Sequence, residues 1–145
     1  MADLVREIMI DATPETIWPF LTEPDKHARW NGSVVDIDPR PGGVYRVLMA
    51  SQSQAAGEYV EVVQLEKIVF TFGWEKEGNP ITPGSTTVEI MLHPEGDKTL
   101  VRLVHRGLPD DAVGDHTQGW DHYVNRLAAV AVGRDPGPDT PPDHG

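Results

Sequence analysis

The chain has 145 residues, no cysteine and a formal net charge of −11 at pH 7. This length suits one domain that folds without disulfides, and the missing thiols exclude a cysteine nucleophile, cysteine-ligated zinc and a redox pair. The excess of carboxylates disfavours nucleic acid and anionic membranes as partners. Because the N-terminus lacks a signal-peptide pattern and no apolar run approaches ~20 residues, we expect a cytoplasmic protein without a membrane span.

A strand and two short helices are predicted first. Residues 4–10 alternate apolar and polar side chains, which indicates a strand near a sheet edge. Thr13 fits a helix cap and Pro14 the first helical position, so a short helix follows. Pro24 begins a second short helix, which we expect to end near Trp30.

The middle of the chain is predicted to consist of strands and turns. Residues 51–56 are mostly polar or small and are assigned to a hairpin loop. Because the links between consecutive strands are short, neighbouring strands must run antiparallel. The predicted strands are Val34–Asp38, Val44–Met49, Gly57–Leu65, Ile68–Trp74, Thr86–His93 and Thr99–Arg106.

A long helix closes the predicted domain. Asp115, three residues before Gln118, resembles the start of a capping box, and Gly133 supplies a stop. Residues 1–134 are therefore assigned to the domain, and residues 135–145, rich in Pro, Gly and Asp, to a disordered tail. An apolar stripe at helical spacing is formed by Trp120, Tyr123, Val124, Leu127, Ala128 and Ala131.

The order of elements predicts an α+β fold. We expect a curved antiparallel sheet of roughly six to seven strands wrapped on the C-terminal helix, because a sheet with one apolar face must bury that face against another element. The helix is long enough to cover the sheet but narrower than it. The remaining concave space must therefore be filled by side chains or by a ligand.

Motifs spread over nearly the whole chain carry a family resemblance. They are Arg6–Ala12 with Pro14 and Trp18, Trp30, Pro41-Gly42-Gly43 with Tyr45, Gly57–Glu61, Ile68–Phe72 with Trp74, Thr86–Val88, Thr99–His105 with Gly107 and Leu108, and Gly119-Trp120 with Leu127. In order and spacing they resemble the START-like (SRPBCC) superfamily, and more narrowly the domain family named after activators of the ninety-kilodalton heat-shock chaperone ATPase. The resemblance implies a helix-grip fold. That superfamily includes lipid carriers, receptors and polyketide cyclases, so the fold alone does not choose a function.

Two histidines are candidates for polar groups in the cavity. His116 lies four residues before Trp120, so both share the sheet-facing side of the helix, whereas His122 is expected to point to solvent. His105 has the strand parity of inward-facing residues. The pair is read either as ligand-orienting or acid–base groups, or as satisfied interior histidines. We expect no cofactor and no metal, because the sequence has no His-x-x-x-His pair.

The candidate ligand-binding set combines these histidines with aromatic and apolar residues. Glu61 is included because apolar strand partners suggest that it faces inward, as a cavity acid or as a buried carboxylate paired with Arg102 or Arg6. The aromatic strip is read as core or as pocket lining. The set is Trp30, Tyr45, Met49, Tyr59, Glu61, Phe70, Phe72, Trp74, His105, His116, Trp120 and Val124.

Three functions stay open from the sequence. The first, which we favour, is binding of a small apolar or aromatic ligand, lipid- or polyketide-like, between sheet and C-terminal helix. The second is a cyclase, dehydratase or hydrolase in the same cavity, with His116 and Glu61 as the candidate groups. The third is a co-chaperone-like interaction module. Since nothing in the chain matches the separate N-terminal domain of the chaperone activator, the expected partner is a small hydrophobic molecule bound by a monomer or weak dimer.

Overall fold

Seven strands and three helices make up the part of the chain that the structure, a computed structural model, describes: residues 2–49, 52–137 and 139. The strands are β1 (Ala2–Ile10), β2 (Val34–Ile37), β3 (Val44–Leu48), β4 (Gln54–Val63), β5 (Lys67–Trp74), β6 (Thr86–Glu95) and β7 (Lys98–Leu108). The helices are α1 (Pro14–Thr22), α2 (Pro24–His27) and α3 (Val113–Ala131), and a 3-10 turn, Asp110–Ala112, precedes α3.

The strands form one antiparallel sheet in the order β1-β7-β6-β5-β4-β3-β2. β1 and β2 are its two edges, and β1 pairs with β7 from Leu4 opposite His105 to Ile10 opposite Thr99. The sheet curves around α3, whose contacts include β1 and α1. The predicted α+β helix-grip fold, with two short helices after the first strand, is therefore confirmed.

The inner face of the sheet and one face of α3 share the core. Ile68, Phe70 and Phe72 are buried, as the two-residue strand period predicts. The α3 stripe is also buried from Trp120 to Ala131, except that Ala128 is only half-buried and Val130 joins the core. This packing brings α3 across the sheet and leaves its first two turns beside the end of β5.

Several boundaries differ from the sequence prediction; α2, for example, ends at His27 and not near Trp30. The capping-box start at Asp115 is wrong: α3 begins at Val113, and no side chain caps it. The 3-10 turn leads directly into the helix, because the Val113 N–H bonds to the carbonyl of Asp110, so Asp115 lies within the first turn of α3. Residues 54–56 are strand rather than loop, since they pair with β3 and bury the small Ala55 and Ala56.

Candidate functional site

Two spaces lined by residues that the structure describes lie in the hollow between sheet and α3. The first, here called the inner void, has a volume of about 10 Å³ and is lined by Leu21, His27, Trp30, Tyr45, Tyr59, Ile68, Phe70, Ile90 and Trp120. The second, here called the recess, has a volume of about 30 Å³ and is open to solvent at one side. The recess is lined by Asn31, Met49, Phe72, Trp74, Asp115, His116, Gly119, Trp120 and Tyr123.

Aromatic packing reduces the inner void to this size. The Tyr45 and Phe70 rings stack with centroids 4.1 Å apart, and Tyr59 meets both of them edge-on. Trp30 closes one side, where its indole N–H donates to the Phe20 carbonyl at 2.8 Å. A cavity needs about 10–15 Å³ to hold one water molecule, so the protein's own side chains fill the space that we expected a lipid-like ligand to occupy.

His27 borders the inner void and was not among the predicted site residues. Its side chain is 4% exposed, and its Nδ1 lies 3.0 Å from the Asn31 carbonyl oxygen, to which it donates. Burial lowers the His27 pKa to about 4, because the charged form loses its hydration. The ring is therefore neutral at physiological pH.

His116 and Trp74 form one wall of the recess. The Trp74 indole N–H donates to His116 Nε2 at 3.1 Å, and His116 Nδ1 lies 2.9 Å from the Ala112 carbonyl. Indole can only donate and a carbonyl can only accept. His116 is consequently the neutral tautomer with its proton on Nδ1, oriented from both sides.

His105 lies behind this wall and lines neither space. Its Nδ1 accepts a hydrogen bond from the Trp120 indole at 3.0 Å, and its Nε2 donates to the Thr86 hydroxyl at 2.8 Å. Thr86 in turn donates to the Phe72 carbonyl. Burial, with a smaller contribution from neighbouring His116, lowers the His105 pKa to about 3. This geometry is that of a satisfied interior histidine and not of an acid–base group.

Asn31 contributes a polar group to the recess that the sequence reading passed over. Its side chain is 2% exposed, yet no donor among the described residues reaches its Oδ1. The residue follows α2 and precedes Gly32, which takes a φ of +99°, so the sequence indicated only the end of a helix. Packing then turned this residue towards α3.

The C-terminal segment returns to α3 beside the recess. Tyr123 donates from its hydroxyl to Asp139 at 3.3 Å, and His122 Nε2 lies 2.8 Å from the other oxygen of that carboxylate. His122 is therefore half-buried instead of pointing freely to solvent, which corrects the prediction. Arg126 donates to the carbonyls of Trp30 and Gly137. Of the expected tail, the structure describes residues 135–137 and 139, and the rest lies outside the described residues.

Glu61 does not face the hollow, so its predicted place in the site is wrong. A β-bulge lies between Tyr59 and Glu61: Tyr59 pairs with Phe70, but Glu61 pairs with Val69. The bulge inserts one residue and reverses the alternation beyond it. Glu61 is half-exposed on the outer side and bonds Lys67 at 2.9 Å, rather than Arg102 or Arg6.

The other predicted residues divide between the two spaces. Those around the inner void are Trp30, Tyr45, Tyr59, Phe70 and Trp120, and those around the recess are Met49, Phe72, Trp74, His116 and, again, Trp120. Val124 is buried in the core without lining either space. The recess residues that were not predicted are Asn31, Asp115, Gly119 and Tyr123. A glycine in the middle of a helix was the available signal for one of them, since it marks open space or close approach.

Two further findings concern the part of the chain that the structure describes. No group of three or more His, Asp or Glu residues there could hold a metal ion. None of the described helices is both long and apolar enough to cross a membrane.

The family follows from a match over most of the chain. The model of the activator of Hsp90 ATPase homologue 1-like (AHSA1) family matches residues 11–131. This chain belongs to that family. Family membership agrees with the helix-grip fold and with the resemblance drawn from the spaced motifs. No match is found among the curated proteins.

Solved AHSA1-like and related structures share this fold. An AHSA1-like protein from Rhizobium etli is 39% identical, with 99% of this chain and 92% of that chain covered and a TM-score of 0.75. A protein from Chromobacterium violaceum is 26% identical, with 89% and 96% covered and a TM-score of 0.76. CalU16 from Micromonospora echinospora is 26% identical, with 97% and 71% covered and a TM-score of 0.78.

Proposed function

We propose that this AHSA1-family protein binds a small organic molecule whose head group enters the recess between β5 and α3. The observation that carries the proposal is the enclosed Asn31 amide oxygen, which no donor among the described residues reaches. A buried polar atom without a partner costs about 1–3 kcal/mol. A ligand that donates a hydrogen bond to this oxygen would remove that cost.

The size of the recess limits the part of the ligand that enters it. At about 30 Å³, it holds about two water-sized groups, each of which needs roughly 10–15 Å³. Ligand pockets commonly span roughly 300–1,000 Å³, so the recess is far too small to enclose a whole ligand of that class. The proposal is therefore a small head held inside and an apolar body lying against the mouth, rather than a lipid that fills the interior.

The geometry favours binding over catalysis in the hollow. The enzyme hypothesis requires His116 and Glu61 to lie within hydrogen-bond reach of one ligand atom. Glu61 lies on the outer side of the sheet, and both ring nitrogens of His105 are engaged inside the core. His116 is the one predicted polar residue that lines the recess.

Two glycine substitutions in α3 test the proposal. A Cβ added at Gly119 or at Gly114 meets no atom within 4 Å, but only Gly119 lines the recess. In a fragment screen followed by amide NMR shifts, we expect hits that shift the recess residues of the wild-type protein. Gly119→Leu should abolish these shifts by filling the mouth, and Gly114→Leu should keep them. Fragments that bind Gly119→Leu as they bind the wild type would overturn the proposal, as would the absence of any hit at the recess.

A further inference from the structure

We propose that the recess selects a protonated amine, so that the head group it takes is a primary or secondary ammonium carried on an apolar body. This inference rests on the proposed function, because it assigns a ligand chemistry to the same recess. Three independent features of the lining support it: its hydrogen-bond inventory, its charge and its aromatic surfaces.

The lining has almost no donor left to offer. Five of its side chains carry an N–H or O–H group, and four of these groups already donate within the protein, those of Trp74, His116, Trp120 and Tyr123. The fifth belongs to the Asn31 amide, whose oxygen is the enclosed acceptor without a partner. The lining groups left to a ligand are therefore the Asn31 amide and the Asp115 carboxylate, both of which offer acceptor oxygens, and an ammonium group brings two or three N–H donors to them.

The charge of the lining has one sign. Its residues include no Lys or Arg and one carboxylate, Asp115. Asp115 is exposed, and none of the ion pairs among the described residues includes it. His116 Nε2 accepts a hydrogen bond from the Trp74 indole N–H, so this nitrogen carries no proton of its own. An anionic head would face this carboxylate without compensation, whereas a cation would pair with it.

Aromatic rings form the remaining walls. Phe72 and Trp74 meet at 84° with centroids 5.2 Å apart, and Phe72 and Trp120 are tilted by 53° at 6.2 Å. Because these rings are set at different angles, both ring edges and ring faces line the recess. The face of an aromatic ring attracts a cation within about 6 Å, by roughly 0.5–2 kcal/mol depending on desolvation. Neutral and anionic head groups have no comparable attraction to a ring face.

Two positive charges work against a cation, and both are weak at this place. The N-terminus of α3 carries a partial positive charge that acts within the first turn, where Asp115 offsets it. Gly119, Trp120 and Tyr123 line the recess beyond that turn. The one Lys or Arg of α3 is Arg126. Its guanidinium is turned to the carbonyls of Trp30 and Gly137.

Three probes of matched shape test the inference at pH 7.5. 2-Phenylethylammonium carries the proposed head, 2-phenylethanol keeps one donor without charge, and 3-phenylpropionate reverses the charge. With the full chain, titrations followed by amide NMR report both the site and the affinity. We expect 2-phenylethylammonium to bind the recess about tenfold more tightly than 2-phenylethanol, which corresponds to about 1.4 kcal/mol, and 3-phenylpropionate to bind most weakly.

Variants assign the selectivity to named groups. Asp115→Asn should weaken the binding of 2-phenylethylammonium about threefold, the size expected for an exposed ion pair. It should leave the affinity for 2-phenylethanol unchanged. Asp111→Asn, an exposed acidic position outside the recess, is the matched control and should change neither. Asn31→Ala should weaken the binding of both 2-phenylethylammonium and 2-phenylethanol. If this buried substitution unfolds the protein, the comparison of Asp115→Asn with Asp111→Asn still tests the amine selectivity.

The outcomes separate this inference from the proposed function. If 2-phenylethanol or 3-phenylpropionate binds the recess as tightly as 2-phenylethylammonium, amine selectivity is wrong and the binding function stands. If Asp115→Asn and Asp111→Asn have equal effects, the charge preference does not come from the recess, and the inference also fails. If no fragment or probe shifts the recess residues, both proposals fall.

Discussion

The inner void and the recess are two ends of one hollow, and they differ in how completely the protein fills them. At the inner void, stacked Tyr45 and Phe70 leave about 10 Å³. At the recess, about 30 Å³ stays open beside an amide oxygen that lacks a donor among the described residues. A helix-grip hollow therefore need not be a ligand cavity throughout. Here one end stabilises the fold, and the other end contains a polar group without a hydrogen-bond partner among the described residues.

The same contrast appears in two tryptophan–histidine hydrogen bonds. Trp120 donates to His105, which is 0% exposed, and Trp74 donates to half-buried His116 at the recess. Both bonds use an indole N–H and a neutral imidazole nitrogen. They differ in whether water can replace the donor, and that difference sets the expected cost of breaking each one.

The largest expected effect is a core truncation at the filled end. Phe70→Ala should lower the free energy of unfolding by about 3–5 kcal/mol, because it leaves a cavity among Tyr45 and Tyr59. Met49→Ala, at the recess, should cost less than about 2 kcal/mol, since open space already lies beside it. Urea unfolding measures both values. Equal costs would contradict the division of the hollow into a filled and an open end.

The second expected effect is a loss of stability in mild acid. The folded-state pKa values of His27 and His105, lowered to about 4 and about 3 mainly by burial, lie below the unfolded value of about 6.5. Stability is therefore complete above about pH 6.5 and is lost as the pH falls, because the unfolded chain then binds two protons that the folded chain does not. Between pH 7.5 and pH 5.5 the free energy of unfolding should fall by about 3 kcal/mol.

Single variants check the origin of that slope. His105→Gln should reduce the pH dependence of the free energy of unfolding by about half, whatever its effect on stability at pH 7.5. His93→Gln is the control, since His93 is exposed. An unchanged slope in His105→Gln would show that its folded-state pKa is not lowered.

The two tryptophan–histidine hydrogen bonds should contribute unequally to the free energy of unfolding. Trp120→Phe should cost about 1–3 kcal/mol beyond the loss of packing, because it leaves His105 Nδ1 buried without a donor. Trp74→Phe should cost less than about 1 kcal/mol, because water can reach His116. Thermal and urea unfolding give the two differences. A larger loss for Trp74→Phe would mean that the recess wall is as tightly built as the core.

Two glycine substitutions in α3 should slightly increase the stability of the protein. Gly114→Ala and Gly119→Ala should each raise the free energy of unfolding by about 0.5–1 kcal/mol, because alanine has the higher helix propensity and both positions have open space. Gly119→Ala should also narrow the recess and weaken the binding of 2-phenylethylammonium, while Gly114→Ala should do neither. A destabilising Gly119→Ala would show that this part of the recess is not open.

Regular alternation made the fold predictable. The periods along Ile68–Trp74 and along α3 indicated which faces were buried, and short links required antiparallel pairing. The same two-residue period predicted that His105 faces inward. Alternation fails where a strand gains one residue, so the bulge before Glu61 moved that carboxylate to the outer side.

The recess was harder to predict because it depends on distant segments. Asn31, Asp115 and Tyr123 come from three places in the chain and meet only after α3 has packed. Whether a hollow is filled depends on rotamers, as with the stacked Tyr45 and Phe70 rings. No periodicity in a single sequence reports such a fit.

The pairing of β1 with β7 has a consequence for synthesis on the ribosome. β1 finds its neighbour only when residues 99–108 have been translated. At roughly 5–20 residues per second, β1 waits for about 5–20 seconds with its backbone unpaired. Its polar alternation, with Arg6 and Glu7 between apolar residues, makes it a poor template for other chains during that interval. Of the strands in this sheet, β1 therefore has the longest interval between its own translation and that of its first partner.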